Sequence, residues 1–199
     1  MSGYNTPCAA VECVHEVKKS RFIARLAPAE SKQQAQALIE QAKRDHPEAR
    51  HHCSAYLIGA PHSAQQAAMD DDGEPGGTAG KPIFNVISHK NVGDVVVVVI
   101  RYFGGIKLGA GGLVRAYAAA TQNAFEQATL CPKIPRVDCR LLCNFAQESE
   151  LRRWLLAEQA EIGEVVYGQQ VALPVRITLD TLAALKTKAQ VQGFIIEEL

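Results

Sequence analysis

The chain has 199 residues, 47% hydrophobic and 21% charged, an ordinary globular composition able to bury one large or two small cores without a metal or disulfide staple. Its 21 basic and 21 acidic residues cancel, so no chain-wide field draws in nucleic acid or an anionic membrane, and polyanion binding has to come from a local patch. The longest apolar run, Val95 to Ile100, is too short to span a bilayer, the start of the chain lacks a signal-peptide pattern, and the six cysteines form no CxxC pair, so the expectation is a cytoplasmic protein with reduced thiols and no membrane partner.

In chain order, Ala10 to Val17 and Ser20 to Ala27 read as a hairpin around a Lys18 and Lys19 turn. From Ser31 to Asp45, Ala35, Leu38, Ile39 and Ala42 follow helical spacing and Pro47 stops the run. His52 to Ile58 is a strand ending at Gly59, and Val95 to Ile100, with no polar face, is a central strand covered on both sides. Leu113 to Leu130 carries small and apolar residues at helical spacing.

Pro132 and Pro135 interrupt both helix and central strand, and a boundary there gives domains of residues 1–132 and 133–199. The first has 13 basic and 12 acidic residues and the second 8 and 9, so neither is a basic module. The second reads strand (Val137 to Phe145), helix (Gln147 to Gln159), strand (Val165 to Tyr167), strand (Val171 to Leu179), helix (Thr181 to Gln190), strand (Phe194 to Glu197). That β-α-β-β-α-β order is the ferredoxin-like sandwich. Asp180 is the expected N-cap of the last helix, Gly193 its left-handed end, and Cys139 and Cys143 are small buried hydrophobes on one strand face.

Two glycine-rich segments flank the aliphatic strand: DDGEPGGTAGKP from Asp71 to Pro82, and RYFGGIKLGAGGLVRAY from Arg101 to Tyr117. The second packs Gly104, Gly105, Gly109, Gly111 and Gly112 into nine residues. Such a loop is costly to order and exposes its amides, so stability alone is a poor reason for it. Neither segment is a nucleotide motif. A P-loop ending in Gly80 and Lys81 would have Pro75 at its first glycine and Pro82 at its hydroxyl, and the dinucleotide fingerprint fails at Val114. Nothing here calls for a cofactor, and the Asp70 to Asp72 run lacks calcium-loop spacing.

Two readings of the segments remain. The second loop opens a helix whose free N–H groups, with Arg101, Lys107 and Arg115, suit an anion such as an RNA phosphate. Alternatively Asp71, Asp72 and Glu74 bind those same cations and brace the loops together.

These stretches resemble the signature of the Impact family: DDGEP, GTAGKP and RYFGGIKLGAGGLVRAY, supported by KSRFIA from Lys19 and HHC from His51. The resemblance implies a two-domain α+β protein, with an N-terminal domain similar to elongation factor G domain four and to a small-subunit ribosomal protein, and a C-terminal domain similar to elongation factor G domain five. It further implies that bacterial members have no established activity, whereas a eukaryotic relative regulates translation by binding an activator of a stress kinase. The expectation is a non-enzymatic, translation-associated regulator meeting RNA, a ribosome-associated partner or another protein partner through Asp71, Asp72, Glu74, Gly80, Lys81, the second loop and His52. The alternative is a phosphate- or metal-dependent hydrolase built on Asp71, Asp72, Glu74 and His52.

Overall fold

The computed structural model describes residues 3–199; residues 1 and 2, the start of the first expected domain, lie outside them. The chain divides into two compact units, one of Tyr4–Lys133 and one of Ile134–Leu199. Mixed helices and antiparallel sheets make it an α+β protein. Among the described residues no helix is long and apolar enough to cross a membrane.

The first unit is a five-stranded antiparallel sheet. Its strands are β2 (Val11–Val17), β3 (Ser20–Pro28), β4 (His51–Ala60), β5 (Ser63–Asp70) and β6 (Val95–Tyr102), in the order β2-β3-β6-β4-β5. A further short strand, β1 (Tyr4–Pro7), precedes them. Side chains alternate across a strand, and β6 uses that alternation to fill two cores. Val95, Val97 and Val99 join one core, with α2 (Gly80–His89) and α3 (Ala110–Gln127). Val96, Val98 and Ile100 join the other, beside residues of α1 (Lys32–Asp45). A strand buried on both faces carries apolar residues throughout, and the first polar side chain of β6, Arg101, is itself buried, with Tyr102 the first to become partly exposed.

The β2–β3 turn puts Lys18 and Lys19 at φ 47° and 65°, the left-handed backbone that a two-residue hairpin requires. Ser31 caps α1 by accepting the Gln34 N–H. Helix α2 and strand β5 have no counterpart among the sequence expectations. Strand β5 is exposed along its whole length and offers no alternation. Helix α2 begins in GKP, where glycine and proline mask the helical pattern, although proline is tolerated in a first turn.

Strand β1 pairs with β7 (Leu130–Lys133), and that pairing brings Cys8 and Cys131 together in a disulfide across 123 residues of sequence. The expectation of six reduced thiols is therefore corrected: spacing along the chain carries no sign of a contact made by the two ends of the first unit. Cys13, Cys53, Cys139 and Cys143 are free and buried.

The second unit runs β8 (Arg136–Cys143), α4 (Phe145–Ala157), β9 (Glu161–Ile162), β10 (Val166–Tyr167), β11 (Val171–Thr178), α5 (Leu179–Gln192) and β12 (Ile195–Glu198). Its sheet order is β10-β11-β8-β12, with β9 also on β11, all antiparallel. Cys139, Leu141 and Cys143 face a core shared with Leu151, Leu155 and Leu185. Helix α4 opens with a capping box between Asn144 and Gln147. The cap of α5 is Thr178, which accepts the Thr181 N–H, while Asp180 lies in the first turn; the helix starts two residues earlier than its apolar pattern indicated. Gly193 ends α5 in the left-handed conformation, φ 78°.

Candidate functional site

Strand register decides which side chains reach the α3 side of the sheet. Arg101 pairs with Phe22 on β3 and with His51 on β4, so these three share a face. Phe22 packs edge-on against Tyr117 of α3, with ring centroids 5.1 Å apart. His52 pairs with Ile100 and points to the α1 side, where its Nε2–H donates to the His46 carbonyl at 3.1 Å. Burial outweighs the nearby Asp72 charge and holds the His52 pKa below the usual histidine value. Of the adjacent histidines it is His51, absent from the expected set, that lines the cavity between the glycine-rich segments. His51 Nδ1 lies 2.8 Å from the Asp72 carbonyl, which can only accept, so Nδ1 carries the hydrogen and Nε2 is turned toward Glu74, 3.9 Å away.

The acids of the first segment are engaged inside the molecule. Asp71 Oδ1 accepts the N–H groups of Ala79 and Gly80 at 3.0 and 2.8 Å, and Oδ2 accepts that of Gly77 at 2.7 Å. Ala79, the N-cap of α2, has no side-chain acceptor of its own, so Asp71 caps the helix from eight residues upstream. Burial would raise its pKa, but the three amides hold it below the ordinary carboxylate value. Asp72 accepts the His52 N–H at 2.6 Å. Glu74 Oε1 accepts from Arg101 Nη1 at 2.5 Å and from Tyr117 Oη–H at 2.9 Å. Cys53 Sγ lies 3.2 Å from Tyr117 Oη, and burial pushes the Cys53 thiol and the Tyr117 phenol far above their usual titration ranges. This network ties the first segment to β4, β6 and α3.

The amides of the two segments behave differently. Those of Gly77, Ala79 and Gly80 are spent on Asp71, and the Gly104 N–H donates to Ser20 Oγ at 3.1 Å. At the start of α3, Gly109 sits at φ 71° with no side-chain cap, and the first intrahelical bond is Leu113 N–H to the Gly109 carbonyl. The amides of Ala110, Gly111 and Gly112 thus have no helical partner. They open beside a cavity of about 400 Å³ lined by Arg50, His51, Glu74, Arg101, Phe103 and Lys107, among others. Three cations against one carboxylate leave its wall at +2, to which the helix end adds about half a positive charge.

Arg101 is 7% exposed, and among the described residues its guanidinium makes one hydrogen bond, to Glu74, while its Nε–H is buried with no acceptor. A buried donor left unmet costs about 1–3 kcal/mol. Gly104 is small because the β2–β3 turn lies against it: a Cβ there would stand 2.0 Å from the Lys19 carbonyl carbon. That contact sets the exposed Lys18 and Lys19 beside the loop. Lys81 and Gly77 line a different groove, between α2 and α3. Arg115 is exposed in the first turns of α3, outside the cavity wall. Arg50 and Phe103 also line it: Arg50 stands before β4 in no motif, while Phe103 belongs to the second glycine-rich segment without having been singled out there.

The chain is similar to several known proteins. The model of the Impact N-terminal domain matches residues 18–125. IMPACT family member YigZ of Escherichia coli (strain K12) is 39% identical over 188 residues, 94% of this chain and 92% of that protein. IMPACT family member YvyE of Bacillus subtilis (strain 168) is 51% identical over 160 residues, 79% of this chain and 72% of the relative. A crystal structure of a hypothetical protein, 37% identical, superposes with a TM-score of 0.76 and covers 100% of this chain and 98% of its own. By the matched domain and by relatives that span nearly its whole length, the chain belongs to the Impact family.

Proposed function

We propose that this Impact-family chain is a non-enzymatic, translation-associated binding protein of the cytoplasm that engages RNA through phosphate groups at the start of α3. The observation that carries the reading is the uncapped N-terminus of α3 opening beside Arg50, Arg101 and Lys107, with Lys18 and Lys19 on the adjoining turn. Helix N-termini attract anions through free N–H groups and the macrodipole. A local patch also supplies what the neutral composition withholds. The domain kinships belong to the same reading: strand order β10-β11-β8-β12 is that expected of a ferredoxin-like unit, and elongation factor G domains four and five are the analogues proposed for the two units.

The hydrolase alternative finds its proposed carboxylates already in use as acceptors, with His52 on the other face of the sheet. The test is fluorescence anisotropy with short single-stranded RNA across a salt series. Affinity should fall with salt, and the Arg50→Ala, Lys107→Ala double variant should flatten the logarithmic slope by about 2. No binding at 50 mM salt, or an unchanged slope, overturns the reading; capture of a protein partner without RNA would favour the protein-binding version.

A further inference from the structure

The cavity is more specific than a general RNA groove requires. Its positive charge is concentrated rather than laid out as a track: Arg50, Arg101 and Lys107 converge on one helix end against a single carboxylate, Glu74. An internal phosphodiester carries one negative charge and must keep both ester arms in an open channel. A phosphomonoester carries close to two near neutral pH and enters from one side. Arg101 supports the second case. Among the described residues its one hydrogen bond runs from Nη1 to Glu74, which leaves the Nη2 donors open, while the Nε–H is buried without an acceptor and out of a ligand's reach. The guanidinium therefore keeps donors facing away from Glu74, in the planar arrangement that matches an oxyanion.

Beside these charges the wall is apolar, with Leu108, Leu113 and Phe103. Phe103 is 51% exposed, and the Arg101 guanidinium lies 5.7 Å from its ring centroid. A half-exposed aromatic ring next to an anion site is a platform on which a nucleobase stacks. A phosphoserine residue has no ring to place on it.

Resting on the RNA reading above, we propose that this cavity is a terminal-phosphate pocket that takes the dianionic 5′-phosphate of a nucleotide, free or at the end of an RNA strand, with Phe103 beneath the base. The phosphate sits across the α3 N-terminus and Arg101, held from the rim by Arg50 and Lys107. Glu74 fixes the guanidinium and keeps the empty pocket from carrying three unopposed cations.

The experiment uses the full chain and 3′-labelled RNA 8-mers of one sequence, ending in either a 5′-phosphate or a 5′-hydroxyl. Adenosine 5′-monophosphate, adenosine, inorganic phosphate and a phosphoserine peptide serve as competitors. The 5′-phosphorylated strand is expected to bind at least about tenfold tighter than its hydroxyl twin. Arg50→Ala and Lys107→Ala, both at exposed positions that should leave the fold intact, should shrink that ratio. Phe103→Ala should weaken the mononucleotide and leave inorganic phosphate unchanged.

Competition by the mononucleotide as strong as by the strand would identify the free nucleotide as the ligand; competition far weaker would identify the RNA end. Equal binding of the two strands, with a normal salt slope, overturns the terminal-phosphate pocket and leaves the RNA reading standing. Binding of the mononucleotide without either strand removes the RNA reading and leaves the pocket. The phosphoserine peptide outcompeting both overturns the nucleotide assignment.

Discussion

Removing the Glu74 carboxylate tests the brace on which the site geometry depends. The side chains of Glu74 and Arg101 are 3% and 8% exposed, so Glu74→Ala leaves a guanidinium in the interior with no counter-charge and takes the acceptor from Tyr117 Oη–H. Breaking a buried pair from one side costs about 3–5 kcal/mol. Glu74→Gln keeps the shape and an acceptor oxygen but not the charge, and should cost about 2 kcal/mol, the difference between a charged and a neutral hydrogen bond plus partial desolvation. The double variant Glu74→Leu, Arg101→Met removes both charges and should be less destabilised than Glu74→Ala alone. The measurement is amide hydrogen exchange of β6 in the full chain. The interior of that strand is buried on both faces, so its amides exchange only by opening of the first unit. The single tryptophan, Trp154, lies in the second unit and follows that unit separately during denaturant unfolding. A loss under about 1 kcal/mol for Glu74→Ala, or a double variant as damaged as the sum of both singles, would refute the idea that this pair clamps the loop.

Other expectations concern the glycines, the helix cap and the disulfide. Gly104→Ala should destabilise the first unit by more than about 3 kcal/mol, because its Cβ meets Lys19 backbone rather than a movable side chain. Gly105→Ala, with open space but φ 83°, should cost only about 1 kcal/mol; equal losses in thermal unfolding would contradict this. Asp71→Asn should cost about 2 kcal/mol by weakening the cap of α2. Because the folded-state pKa of Asp71 lies below its ordinary 3.8, its contribution is complete above that value and disappears as pH falls through the folded pKa; the variant should lose less stability than the parent between pH 4 and pH 2. Cys131→Ser opens a covalent link spanning 123 residues, for which chain entropy allows up to about 5 kcal/mol. Denaturant titration with and without reductant measures it, and a parent indifferent to reductant would count against the link.

Local pattern carried much of the architecture. The all-aliphatic run ending at Ile100 was legible as a strand covered on both faces, since it is short, has no polar side and consists wholly of β-branched residues. The Lys18 and Lys19 turn and the left-handed Gly193 were also legible, because each depends on neighbours within a few residues. Helix α2 was not: its cap acceptor, Asp71, lies eight residues upstream and its first turn holds a glycine and a proline. The disulfide was hidden for the same kind of reason, being made by segments that meet only once β1 and β7 pair.

The glycine content of the second segment by itself marked an unusual loop, and the folded chain shows one structural use for it in the close approach of Gly104 to the Lys19 backbone. Which histidine faces that place was settled by register: His51 lies opposite Arg101 and His52 opposite Ile100, and a one-residue difference in a strand moves a side chain to the other side of the sheet. Likewise the sequence supplied acids and bases in plenty, but only the folded chain assigned Glu74 to Arg101 and Asp71 to α2, leaving the α3 amides and the remaining cations turned to solvent. Long-range pairing made those assignments, because a charge takes the partner that burial brings to it rather than the one nearest along the chain.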